Sequence, residues 1–107
     1  AAGLELDRAD PLLGTPPHAL VLASSEKHTD IYMVVCEEIL VNTPDLTGSQ
    51  SPLVRADLVF FETPKGGGVF SVSSIAWMGS LSHNDYDNNV SRITENVLRR
   101  FADPKPL

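Results

Sequence analysis

Cys36 is the one thiol in the 107 residues, and its surroundings decide whether it can act as a nucleophile. A nucleophilic cysteine works as the thiolate, commonly on a sharp strand-to-helix turn with small neighbours and a base in reach. Here it stands in Val34-Val35-Cys36-Glu37-Glu38, with no flanking glycine and with two carboxylates that oppose thiolate formation. The pattern predicts a buried, inert thiol. Glu37 and Glu38 do not form an acid–base pair, because neighbours on an extended chain face opposite ways and on a helix diverge by about 100°. His18, His28 and His83 include no His-x-x-x-His or His-x-His pair, so metal-ligand spacing on a helix or strand is missing. Glu26, His28 and Asp30 alternate and could point one way if extended. Polar residues in a turn after a strand are more often solvated than metal-bound.

Residues 80–89 form the densest polar cluster, and His83, Asn84, Asp85 and Asp87 are its candidates for a pocket or contact. The cluster is expected between a strand and a helix N-terminus, the place where α/β folds put ligand sites. The same residue types are what capping and Asx turns require. Capping is the favoured reading, with a ligand or subunit contact as the alternative. Ser82 and His83 are adjacent and would face opposite sides of a strand, which argues against a Ser-His dyad. Gly66-Gly67-Gly68 lacks the spacing and the Lys-Ser/Thr of a phosphate loop and reads as a turn. Trp77, between Ala76 and Met78, is predicted to fill the core. No catalytic constellation assembles from these residues.

The elements that would position them follow from pattern. Residues 1–18 read as irregular, punctuated by Pro11, Gly14, Pro16 and Pro17, with Leu4, Leu6, Leu12 and Leu13 available to pack on a neighbouring surface. Ala19-Leu20-Val21-Leu22-Ala23 is a continuous apolar run, which predicts a strand buried on both faces as in a parallel sheet. Residues 30–42 fit a helical face or a strand, and the composition of Ile31-Tyr32-Met33-Val34-Val35 favours a short strand. Residues 42–55 read as a long loop. Residues 56–62 and 68–73 form two β-rich runs joined by Thr63-Pro64-Lys65-Gly66-Gly67, a hairpin pattern. Residues 74–87 read as a polar connection. Val90, Ile93, Val97, Leu98 and Phe101 then recur on one face of a helix over residues 88–101, with Asp85, Asp87 or Asn88 as its cap. The fold class is α/β: a few-stranded sheet with a β-hairpin and a C-terminal amphipathic helix. Such a sheet reads as half a domain, marginal in isolation because edges and apolar faces stay uncovered.

Composition narrows the partners. A net charge of −6 argues against nucleic acid, because phosphate binding needs concentrated Lys and Arg. Only Arg92, Arg99 and Arg100 cluster, on what reads as a solvated helix face. No apolar run reaches the roughly 18 residues of a membrane span, so no membrane partner is expected. With one cysteine and no leader pattern, a reducing cytoplasm is the expected compartment. An initial Ala in place of Met suggests a processed or excised segment of a longer product.

As text, the chain resembles a definite family. Val54-Arg55-Ala56-Asp57-Leu58-Val59-Phe60-Phe61-Glu62-Thr63-Pro64, followed by Gly67-Gly68-Val69-Phe70-Ser71, is similar to the C-terminal region of N,N-dimethylformamidase large (beta) subunits. So are Gly79-Ser80-Leu81-Ser82-His83-Asn84, the closing stretch 87–101, and upstream Gly14-Thr15-Pro16-Pro17-His18 with the apolar run after it. The resemblance covers nearly the whole chain. It implies an amidohydrolase that cleaves small N-substituted formamides such as dimethylformamide to an amine and formate. It implies a large subunit several times longer than this chain, paired with a small subunit in a cytoplasmic hetero-oligomer. It also implies a mononuclear iron held by tyrosines and a glutamate in an upstream part of the subunit. Tyr32 and Tyr86 do not match those ligands. The C-terminal region would be a glutamine-amidotransferase-like domain without its nucleophile, in keeping with the unfavourable setting of Cys36 and the lack of a following His-x-Glu. On this view the segment is non-catalytic and supplies packing, oligomer contacts or a pocket wall. A structural or oligomerisation module of a relative with another activity is the second reading. A free-standing enzyme using Cys36 or His83 is the third and weakest.

Overall fold

The computed structural model describes residues 2–35 and 44–107. The runs on either side of the Gly-rich turn form the expected hairpin, β2 (Ala56–Glu62) and β3 (Gly68–Ser71), antiparallel with Phe60 opposite Phe70. The turn closes because Gly66 takes a φ of 81°, a left-handed value that a Cβ disfavours. Thr63 N–H then donates to the Gly67 carbonyl at 2.7 Å and Gly67 N–H to Thr63 Oγ1 at 3.1 Å. β3 stops two residues short of the expected end because Ser73 turns out at a φ of 54° to meet the N-terminal arm. There the Ser73 carbonyl accepts from Asp7 N–H at 3.0 Å.

β1 (Leu20–Ser25) lies on the other side of β2, giving a three-stranded sheet in the order β1-β2-β3 with both pairings antiparallel. This corrects the expectation of a parallel strand buried on both faces. β1 is an edge strand, and Leu20, Val21 and Leu22 remain 57%, 52% and 53% exposed. An unbroken apolar run encodes burial against something, and among the described residues no second layer covers this strand. Residues 31–35 also depart from the expected strand, making one bridge between Met33 and Thr47. The rest of the 30–42 segment, with Cys36, Glu37 and Glu38, lies outside the described residues.

The loop before β2 is built on close backbone approach. Gly48 donates to the Tyr32 carbonyl at 2.8 Å, and a Cβ there would fall 2.7 Å from the His28 carbonyl oxygen. The connection after β3 is less irregular than its polarity suggests. It contains one helical turn, α1 (Ala76–Gly79), which buries Trp77 as expected.

α2 (Asn89–Ala102) matches the predicted helix to within a residue. Asn88 is its cap, accepting from Ser91 N–H at 3.0 Å, and Arg99 and Arg100 sit in the last turn, where cations complement the helix dipole. The Trp77 indole N–H reaches Thr94 Oγ1 at 3.0 Å and ties α1 to α2.

The core is small. Among the described residues Val54, Ala56, Val59 and Trp77 are the buried apolar side chains. The chain measures 49 × 37 × 18 Å with a radius of gyration of 15.8 Å, against about 13 Å for a compact domain of some 100 residues. A layer 18 Å thin cannot bury both faces of a sheet.

Candidate functional site

The one side chain of the described residues that is fully enclosed is a carboxylate. Asp57, in the second position of β2, is 1% exposed. Its two oxygens accept from Ala9 N–H at 2.8 Å, from the Ser24 hydroxyl at 2.6 Å and from Arg55 Nε at 2.9 Å. Arg55 stands two residues earlier on the same side of the strand and also donates to the carbonyls of Pro52 and Ala9. The backbone joins in, with Asp57 N–H donating to the Asp7 carbonyl at 3.0 Å and the Ser73 hydroxyl donating to the Asp57 carbonyl. A buried charge is tolerable only when paired and hydrogen-bonded, and each of these bonds meets part of that demand. Asp57 therefore ties the N-terminal arm, β1 and the end of β3 to β2. Its carboxylate is enclosed by these donors at 1% exposure, which leaves it out of reach of a substrate. An Asp among the apolar residues that open β2, with an Arg two positions before it, is the mark this node leaves in the sequence.

Further along, the arm is held by Ser74, whose hydroxyl accepts from Gly3 N–H at 2.9 Å and donates to the Gly3 carbonyl at 2.8 Å. The Asp10 carboxyl is held below its ordinary value, chiefly by the hydrogen bond from Arg8. Leu4, Leu12 and Leu13 gain nothing from this anchoring and remain exposed. The arm is fastened by its polar atoms, while these three expected packing residues find no surface within the described residues.

The polar cluster expected at the start of the helix is an exposed turn over His83–Tyr86. Asn84, Asp85 and Tyr86 take φ values of 51°, 51° and 66° in succession. Each costs on the order of 1 kcal/mol for a residue with a Cβ. Asn88 offsets part of this by clamping the turn: its side-chain amide donates to the carbonyls of Leu81 at 3.1 Å and His83 at 2.7 Å. Asn84 Nδ2 donates to the Asp87 carbonyl at 3.0 Å. His83, Asp85 and Asp87 are exposed, and among the described residues they form no side-chain hydrogen bond with one another. Of the three cap candidates Asn88 caps, while Asp85 and Asp87 do not. Ser82 and His83 sit in helical turns rather than on a strand, so the opposite-faces argument does not apply to them.

The remaining candidates disperse. His18 Nε2–H donates to the Glu62 carbonyl at 3.0 Å and its ring meets Phe61 edge-on. His28 Nε2–H donates to the Ser25 carbonyl at 3.0 Å. Asp30 accepts from the Ser49 hydroxyl and backbone N–H, and hydrogen bonds from the Ser49 hydroxyl, then the Thr47 side chain and the Ser49 N–H, hold its carboxyl below the ordinary value. His28 thus closes a local turn, Asp30 ties its turn to the loop before β2, and Glu26 is exposed. Among the described residues no three His, Cys, Asp or Glu side chains converge as a metal-binding group. The Tyr32 hydroxyl accepts from Leu4 N–H at 3.1 Å. Tyr86 stands exposed in the turn over His83–Tyr86.

Two open concavities accompany these contacts. One, of about 570 Å³, lies between the arm and residues 31–35, walled by Leu4, Leu6, Leu13, Ile31 and Val35. The other, of about 370 Å³, lies between the sheet and α2, walled by Leu22, Phe60, Phe70, Val97 and Phe101. Gly68 lies against the walls of the second, where a Cβ would fall 2.5 Å from Leu107 Cδ1 and 3.0 Å from the Phe60 ring. Both can receive apolar groups. The first also carries Glu5, Asp7 and Arg8 on its lining, and the second Glu62 and Arg100.

With no reacting constellation among the described residues, relatedness decides the identity. Residues 1–88 match the family described as N,N-dimethylformamidase beta subunit-like, C-terminal. The chain belongs to this family. It is 52% identical over 106 residues, 99% of its length, to an N,N-dimethylformamidase beta subunit of Alcaligenes sp. It is 53% identical to the N,N-dimethylformamidase beta subunit of Paracoccus aminophilus over an alignment of 109 positions that takes in the whole chain. The chain spans 14% of the length of each of these relatives. The family match ends at Asn88, the cap of α2, while the similarity to the beta subunits runs on through the helix. The resemblance read from the two β-runs and the closing helix is thereby established.

Proposed function

We propose that this chain is the C-terminal segment of the large subunit of an amidohydrolase that cleaves small N-substituted formamides, dimethylformamide among them, to an amine and formate. The observation that carries this reading is identity of about half the residues over essentially the whole chain to two N,N-dimethylformamidase beta subunits. The segment itself is non-catalytic. In support, among the described residues His83, Asp85 and Asp87 are exposed and share no side-chain hydrogen bond, and the Asp57 carboxylate is enclosed by its own donors, so none of these four is set up as a general base toward a bound amide. The iron of such an enzyme is held outside this segment, and no step of the reaction runs through the residues described here. As one part of a glutamine-amidotransferase-like domain without its nucleophile, the segment supplies packing surface to the rest of the large subunit, which pairs with a small subunit in a cytoplasmic hetero-oligomer.

The test is a chimaera in which this chain replaces the matching 14% of the Alcaligenes beta subunit, produced with its partner subunit. Formate release from dimethylformamide is expected to survive the exchange, and the 107-residue chain alone is expected to release none. In the chimaera His83→Ala and Asp87→Asn should leave kcat within about threefold, well short of the hundredfold or greater loss expected for a general acid or base. A chimaera that assembles without releasing formate would favour an assembly module of a relative with another activity.

A further inference from the structure

We infer that the outer edge of β1 is a strand-addition site, at which a further β-strand from the rest of the large subunit pairs with Leu20–Ser25 and brings with it the layers that cover both faces. This rests on the reading of the chain as one segment of a longer subunit. A solvated edge strand is expected to alternate apolar and polar residues and to carry a Lys, a Pro or an inward charge against unwanted pairing. β1 reads Leu-Val-Leu-Ala-Ser-Ser and carries none of these. Leu20 pairs with Phe60 and Val21 with Val59, which places them on opposite faces, and their 57% and 52% exposure leaves β1 open on both faces at these positions. The one irregularity, a bulge between Val21 and Ala23, lies on the β2 side and accompanies the placing of Leu22 in the groove with Phe60 and Phe101.

The opposite edge is different in kind. β3 is four residues long, contains Gly68 and Ser71, and gives way at Ser73 to the hydrogen bond with Asp7. The sheet thus has one edge built for addition and one that closes. A second copy of the chain is a poorer occupant: two β1 edges paired together would satisfy each other's backbone but leave the leucines of both copies open. The remaining length of the relatives, of which this chain spans 14%, can supply a strand together with covering layers.

Amide hydrogen exchange on the same chimaera tests this. The outward-facing amides of β1 should exchange about 100-fold more slowly than the outward-facing amides of β3 in the same molecule. In the 107-residue chain alone the two sets should exchange alike. Equal exchange of both edges in the assembled chimaera overturns the inference, as does protection of β1 in the isolated chain together with sedimentation as a dimer. Failure of the chimaera to assemble also counts against it, because an edge shared with a relative 52% identical should accept that relative's strand. Formate release separates the two proposals. Release with an unprotected β1 removes strand addition alone, and a protected β1 without release removes the amidohydrolase reading while strand addition stands.

Discussion

A single residue of β1, Ala23, separates its most enclosed contact from its open part. The Ser24 hydroxyl ends on the carboxylate of Asp57, a side chain 1% exposed, whereas Leu22 keeps 53% of its surface in solvent. The usual arrangement of apolar inside and polar outside is inverted across that short distance. A buried polar atom must find its partner within the folded piece, because leaving it unmatched costs about 1–3 kcal/mol, and none of the described buried side-chain polar atoms is left unmatched. Apolar surface is under no such constraint, since water tolerates it until another surface arrives. In this chain hydrogen bonds fasten the arm, β1 and β2 around Asp57, while much of the apolar area of β1 stays in solvent.

Asp57→Ala is the sharpest way to break that contrast. It removes the acceptor of the Arg55 Nε–H, the Ser24 hydroxyl and the Ala9 N–H at once, and should lower the unfolding free energy by about 2–3 kcal/mol in urea denaturation. Asp57→Asn should recover part of the loss, since its amide oxygen still accepts. A cost below about 1 kcal/mol for the alanine variant would mean that the node is ornamental. Asn88→Ala should come next, at about 1–2 kcal/mol, from loss of the α2 cap and of two donors into the left-handed turn. Asn88→Asp, which keeps the cap and loses the donors, should fall between. The smallest effect should come from Leu20→Ser, within about 0.5 kcal/mol in the 107-residue chain, because an exposed side chain has little burial to lose. A cost near 2 kcal/mol there would show that the chain covers its own β1, and the contrast with Asp57 would collapse.

How far the molecule could be read in advance varied with the range of the forces involved. The hairpin was legible because the Gly-rich turn and its flanking β-rich runs are adjacent in the chain. α2 was legible because its apolar period and its cap lie within a single stretch. The role of Asp57 was not, because its partners come from residues 9, 24 and 55 and meet only once the arm, β1 and β2 are assembled. Of the polar cluster at residues 80–89, the capping function was foreseeable from residue type. Which residue caps was not, because the succession of left-handed residues 84–86 decides which side chain reaches the helix N-terminus.

Turn chemistry, helical periodicity and family membership were thus determined by the sequence itself, since each depends on residues close together or on the text as a whole. The sequence also marked β1 as a strand meant for burial. Only the tertiary structure showed it as an exposed edge in an antiparallel sheet, because burial depends on what lies alongside a strand as well as on its composition. The described residues of this chain place nothing there.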